Sequence, residues 1–191
     1  MPHSLLPEQA QQQLLQLARQ AISAAVTGAA WPAPARVMAA LQQPGACFVT
    51  LSKNGQLRGC IGSLQAHRPL IDDVAHNAIA AALHDPRFAP LGADELADVH
   101  IEISVLTEPQ PLQFASEHEL LAQITPFRDG LVLQDGHHRG TFLPLVWQQL
   151  PDKKTFLRQL KNKAGLPADY WSDTLQVYRY YTQVFEEQGG R

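Results

Sequence analysis

The sequence predicts an α+β domain, and three stretches carry the prediction. Leu14, Leu17, Ala18, Ala21, Ile22 and Ala25 recur at helical spacing. Asn54-Gly55 divides two extended runs, as a hairpin turn does when both of its residues tolerate positive φ. Val99, Ile101, Ile103 and Val105 alternate with His100, Glu102 and Ser104, the pattern of a strand with one polar face. A chain of 191 residues, 45% hydrophobic and 17% charged, can bury its core without disulfides or a structural metal. One domain over 1–191, with room for two lobes and a groove between them, is the expected organisation.

The first helix follows Pro7 and closes at Gly28, where a left-handed cap fits. Trp31-Pro32-Ala33-Pro34 breaks the pattern, and a short helix over Val37 to Gln42 ends at Pro44-Gly45. Cys47 to Ser52 and Gln56 to Gly62 then form the hairpin. With Asn54-Gly55 as its loop, Leu51 faces Arg58, Val49 faces Cys60 and Cys47 faces Gly62, all on one face of the sheet. Pro69 opens a second helix carrying Leu70, Val74, Ala78 and Ala81, which stops before Pro86. After the alternating strand come a small helix over Glu117 to Gln123 and a second hairpin, Gly130 to Gln134 and Arg139 to Leu143, with Asp135-Gly136 in its turn. A short helix from Pro144, a longer one from Asp152 to Ala164 capped by Gly165, and a strand-like run from Leu175 to Phe185 complete the chain.

A net charge of -3 and dispersed Lys and Arg leave no basic stripe for a phosphate backbone, so nucleic acid is not an expected partner. Met1 to Gln20 is polar and Gln-rich rather than leader-like, and no window approaches the roughly 20 apolar residues of a membrane span. The expected location is the cytoplasm, with no membrane partner and with Cys47 and Cys60 as reduced thiols. GxGxxG, GxxxxGK[ST], HExxH and GxSxG are all absent, and with them the chemistries those motifs serve.

Chemistry centres on Leu57-Arg58-Gly59-Cys60-Ile61-Gly62. A cysteine acts as a nucleophile through its thiolate, and residues two apart on a strand share a face, so the Arg58 guanidinium can serve as charge partner to Cys60 or hold an anion beside it. Gly59 and Gly62 remove side chains around the thiol, so that backbone is open to a ligand; equally, they admit a packed neighbour around a buried Cys60. In His84-Asp85-Pro86-Arg87-Phe88 an acid and a cation occupy a loop that also reads as a helix stop. Phe142, Trp147, Tyr170 and Trp171 line the core or a cleft, without the basic residues of a stacking platform. His137-His138 point to opposite faces of a strand, and His100 with Glu102 supplies too few ligands, so no metal is assigned. No cofactor is assigned.

Leu57-Arg58-Gly59-Cys60-Ile61-Gly62 resembles the signature of the AMMECR-one family, whose bacterial branch is called AmmeMemoRadiSam system protein A. The likeness continues in family order through Asp85-Pro86-Arg87-Phe88 with Pro90-Leu91, Ile103-Ser104-Val105-Leu106-Thr107, Asp129-Gly130-Leu131, Arg139-Gly140-Thr141-Phe142-Leu143-Pro144 with Val146-Trp147, and Lys163-Ala164-Gly165-Leu166. It implies an antiparallel sheet flanked by helices, a smaller second lobe, and the signature strand near the groove between them. It also implies companions, a Memo-like protein and a radical SAM enzyme. This chain lacks the Cys-x3-Cys-x2-Cys cluster of such an enzyme and is not that component. Leu145 stands where bacterial relatives often carry a polar residue. Two functional readings follow. In the first, the chain is a binding or accessory component for those companions. In the second, it is an enzyme with Cys60 and Arg58 at the reacting centre and Gly59, Gly62, Asp85, Arg87, Phe142 and Trp147 in the ligand groove.

Overall fold

The computed structural model describes residues 6–31 and 36–188, so Pro32 to Pro34 of the predicted break lie outside the described residues. The chain forms two compact units, one of residues 1–106 with 183–191 and one of residues 107–182.

In the first unit, helix α1 (Glu8–Thr27) ends at Gly28, whose φ of 70° is the left-handed cap expected. A single 3-10 turn, Ala39–Gln42, takes the place of the short helix. Strand β1 (Pro44–Lys53) begins earlier than predicted, because Pro44 and Gly45 pair with the short strand β3 (Arg68–Pro69). The turn Asn54-Gly55, with φ of 52° and 73°, leads into β2 (Gln56–Gly62). Helix α2 (Leu70–Leu83) starts one residue after Pro69, and β4 (Val99–Leu106) is the alternating strand. With β9 (Thr182–Glu186) these strands order as β2-β1-β4-β9. Leu14, Ala18 and Ile22 of α1 and Val74, Ala78 and Ala81 of α2 pack against Cys47, Val49, Leu51, Ile101 and Ile103. The core therefore lies on the helix side of the sheet.

The predicted hairpin register is corrected. Lys53 pairs with Gln56 and Ser52 with Leu57, but Leu51 pairs with Gly59, and Arg58 is an extra residue in a β-bulge. Beyond the bulge Thr50, not Val49, pairs with Cys60, and Phe48, not Cys47, pairs with Gly62. The one-residue shift turns the signature over: Gly59 faces the core, and Cys60 lies with half-buried Thr50 on the face away from the helices. The reason is charge. In the regular register Arg58 would lie opposite fully buried Leu51, where an unpaired guanidinium is costly.

The second unit holds an antiparallel sheet ordered β5-β8-β6-β7, from β5 (Gln110–Pro111), β6 (Gly130–Asp135), β7 (His138–Phe142) and β8 (Gln176–Tyr180). Helix α3 (Glu117–Gln123) is capped by the Ser116 hydroxyl, and α4 (Lys153–Lys163) by the Asp152 carboxylate, which accepts the Thr155 N–H at 2.8 Å. The predicted run from Leu175 to Phe185 is two strands rather than one. It divides at Tyr181, whose backbone exchanges hydrogen bonds with Thr107, so β8 joins the second unit's sheet and β9 the first's.

Candidate functional site

Arg58 does not address Cys60. Its Nε and Nη2 donate to the two carboxylate oxygens of Glu95 at 3.1 and 2.8 Å, and its Nη1 donates to the Ala89 carbonyl at 3.0 Å. Glu95 also accepts the Lys53 ammonium at 3.1 Å and the Gly92 N–H at 3.1 Å. The Arg58 hydrogen bonds, with those from Gly92 and Lys53, hold the Glu95 carboxyl down from 4.5 to about 2. A planar guanidinium bound at both forks is a fixed structural element. The bulge and this clamp form one device.

The cation beside Cys60 is Arg87. Asp85 is almost fully buried, and its Oδ2 accepts the Cys60 N–H at 2.9 Å. The same carboxylate accepts from Arg87 Nη2 at 2.7 Å and Nε at 3.0 Å, and Arg87 Nη2 also donates to the Cys60 carbonyl at 3.2 Å. Cys60 lies on β2, at the edge of its sheet, so its outward N–H and C=O have no strand partner among the described residues. Asp85 and Arg87 supply the acceptor and donor that a neighbouring strand would. The Arg87 contacts, with the two backbone N–H groups, hold the Asp85 carboxyl well below the usual carboxylate range.

The Cys60 thiol is half-buried, and the Thr50 hydroxyl donates to its Sγ at 3.2 Å. Thr50 in turn pairs across the sheet with Glu102, so thiol, hydroxyl and carboxylate form a row on one face. Burial, then repulsion from Glu186, pushes the Glu102 carboxyl up. This row, with the Arg87 guanidinium at the strand edge, can hold a polar group near the thiol.

Both signature glycines are packing positions. A Cβ at Gly59 would overlap the Ala81 carbonyl oxygen of α2, and one at Gly62 would overlap the Phe48 ring. Trp147 and Phe142 belong to the second unit. Trp147 is fully buried, stacks on Phe156 with ring centroids 3.6 Å apart, and donates its indole N–H to the Asp129 carbonyl at 2.7 Å. Phe142 is half-buried and meets the edge of Phe156.

Cys47 is the core thiol. It lies within a buried network in which Asp73 Oδ2 accepts from Cys47 N and Asn77 Nδ2 at 3.1 and 3.0 Å, while Ser63 donates to Oδ1 at 2.7 Å. Burial pushes this thiol far up. The network ties the bend after β2 to helix α2.

His100 Nε2 contacts Glu186 at 3.0 Å, and His138 contacts the Ala164 carbonyl. Among the described residues no group of three or more His, Cys, Asp or Glu is placed to hold a metal ion. No described helix is long and apolar enough to cross a membrane. An open groove of about 1040 Å³ runs along Gln12, Gln16, Arg19, His100 and Glu186 and includes neither Cys60 nor its partners.

Sequence reasoning missed Glu95, Thr50 and Lys53. The signal for Glu95 is Gly92-Ala93-Asp94-Glu95, a capping-box spacing in which Glu95 reaches back to the Gly92 N–H. Thr50 was legible only through the bulge.

The AMMECR1 family model matches residues 15–185. A protein of Methanothermobacter thermautotrophicus is 44% identical over 144 residues, covering 74% of this chain and 75% of its own. One of Thermococcus onnurineus is 40% identical over 185 residues, covering 92% and 89%. The crystal structure of an uncharacterized protein from Pyrococcus horikoshii superposes with a TM-score of 0.80 at 33% identity, covering 96% of this chain and 94% of that one.

Proposed function

This chain belongs to the AMMECR1 family, and we propose that it works there as a cytoplasmic binding or accessory component of the bacterial branch, AmmeMemoRadiSam system protein A, acting with a Memo-like protein and a radical SAM enzyme. The partners' identity rests on the family resemblance of the signature. The observation that supports a binding role is that the charges at and beside the signature serve the fold. Arg58 is clamped by Glu95, and Asp85 by Arg87 and the Cys60 N–H. Neither acid is free to take up a proton near neutral pH. What the site presents is half-buried Cys60 and Thr50 and the more exposed Arg87 guanidinium, a small prearranged surface.

The test is isothermal titration of the purified chain against the Memo-like protein and the radical SAM enzyme of the same organism. A dissociation constant in the micromolar range or tighter with either supports the role, and no heat with both removes it.

A second reading, an enzyme with a Cys60 nucleophile, is favoured by the Thr50 hydroxyl donating to Sγ and by the nearby Arg87 cation. In this reading Arg87 takes the charge-partner role first given to Arg58. Turnover that disappears in Cys60→Ser while binding persists would favour it over the accessory role.

A further inference from the structure

We propose that Phe127, on the second unit, is the anchor of a protein-docking surface whose partner offers an apolar pocket bordered by carboxylates. The proposal rests on the binding role and names a surface for it. Phe127 is 64% exposed, and its φ is 63°. Among the described residues only Asn54 shares a positive φ without being glycine, and Asn tolerates that region where a bulky aromatic does not. Phe127 thus carries backbone strain and recovers little of it through packing.

The turn does not need that side chain. Asp129 is fully buried and organises the loop: its Oδ2 accepts the Thr125 N–H at 2.8 Å, its Oδ1 accepts Arg128 Nε at 2.9 Å, and its own N–H donates to the Thr125 carbonyl at 3.1 Å. The Trp147 indole fixes the Asp129 carbonyl from the core side. Pro126 restricts the chain immediately before Phe127. Residue 127 is therefore held in the left-handed region by its neighbours, and glycine would fit there without strain. An exposed aromatic on a loop ordered in advance has the properties of an interface anchor: it offers large apolar area and has little freedom left to lose on binding.

The chemistry of the partner follows from the flanking charges. The Arg128 and Arg179 guanidinium carbons lie 5.4 and 5.7 Å from the Tyr181 ring centroid, with side-chain exposures of 55% and 28%. Asp129, which both arginines reach, is fully buried. Two arginines over one buried carboxylate leave a surplus positive charge at Arg128, the chain neighbour of Phe127, and favour a pocket edged with Asp or Glu. One aromatic with one surplus charge is too little for stable membrane attachment, which takes two independent signals.

The experiment titrates wild type, Phe127→Gly, Phe127→Tyr and Arg128→Gln against the purified Memo-like protein and radical SAM enzyme, with thermal unfolding of each variant. Phe127→Gly should weaken binding about 30-fold or more, the level of an interface hot spot. Its melting midpoint should stay level or rise by a few degrees as the strain is relieved. Phe127→Tyr should bind within a few-fold of wild type, and Arg128→Gln should weaken binding and flatten its salt dependence. Unchanged affinity in Phe127→Gly overturns the proposal and leaves the binding role standing. A lowered midpoint accompanying the loss makes Phe127 a structural residue and overturns it too. Failure of wild type to bind either protein overturns the binding role and this surface together, and so does Phe127-dependent sedimentation with phosphatidylserine vesicles in place of protein binding.

Discussion

The Asp85 carboxylate accepts the Cys60 N–H at 2.9 Å, and Arg87, gripped by the same carboxylate, returns a hydrogen bond to the Cys60 carbonyl at 3.2 Å. Two side chains of one loop thus stand in for a missing strand at the edge of the sheet. Replacing Asp85 with Ala strands the part-buried Cys60 N–H and releases Arg87. The expected cost is about 1–3 kcal/mol in denaturant unfolding. Amide exchange at Cys60 should quicken more than at residues on the interior strand β1, such as Val49.

The Glu95 clamp makes a prediction in pH. Its carboxyl is lowered in the folded state from 4.5 to about 2, so the folded chain binds this proton less readily than the unfolded chain. The stabilisation is complete above about 4.5 and fades as pH falls through about 2. Glu95→Gln should be less stable than wild type at neutral pH, and the gap between them should close across that acid window. Urea unfolding at several pH values measures it, and a gap that stays constant down to pH 2 would contradict the clamp.

The two signature glycines should differ. Gly59→Ala drives a methyl into the Ala81 carbonyl of α2, a backbone group that cannot step aside, and should cost about 3 kcal/mol or prevent folding. Gly62→Ala meets the Phe48 ring and also the Cys47 backbone carbonyl oxygen at 2.7 Å, so movement of the ring relieves only part of the clash and the change should cost about 1–3 kcal/mol. Adding Phe48→Ala should recover part of the Gly62→Ala cost and none of the Gly59→Ala cost. A double-mutant cycle on the unfolding free energies tests both.

The thiols should separate by access. Cys47 is fully buried and hydrogen-bonded to Asp73, so it should be protected from iodoacetamide until the protein unfolds, whereas half-buried Cys60 should react in the native state. Mass spectrometry of native and urea-treated protein distinguishes the two.

The hairpin, the first helix cap and the alternating strand were legible because each has a local cause: Asn54-Gly55, Gly28, and the two-residue repeat of Val99 to Val105. The bulge at Arg58 was not, because period-two reasoning assumes one residue per partner, and the carboxylate that receives Arg58 is Glu95, in a remote 3-10 turn. The same slip placed Cys60 on the wrong face and gave it the wrong arginine. The division at Tyr181 was hidden because both halves of the run have strand character, and only pairing assigns them to different sheets. Asp85 and Arg87 read from the sequence as polar loop residues, but their role depends on β2 being an edge strand, which is a property of topology.

The most direct test of the account compares native Cys60 alkylation rates at fixed pH in a Cys47→Ala background, with Arg58→Gln and Arg87→Gln added separately. If Arg87 is the residue that addresses Cys60, Arg87→Gln should change the rate by about threefold or more, and Arg58→Gln should leave it unchanged wherever the fold is retained. A rate that responds to Arg58 and ignores Arg87 would contradict the arrangement on which the candidate site is built.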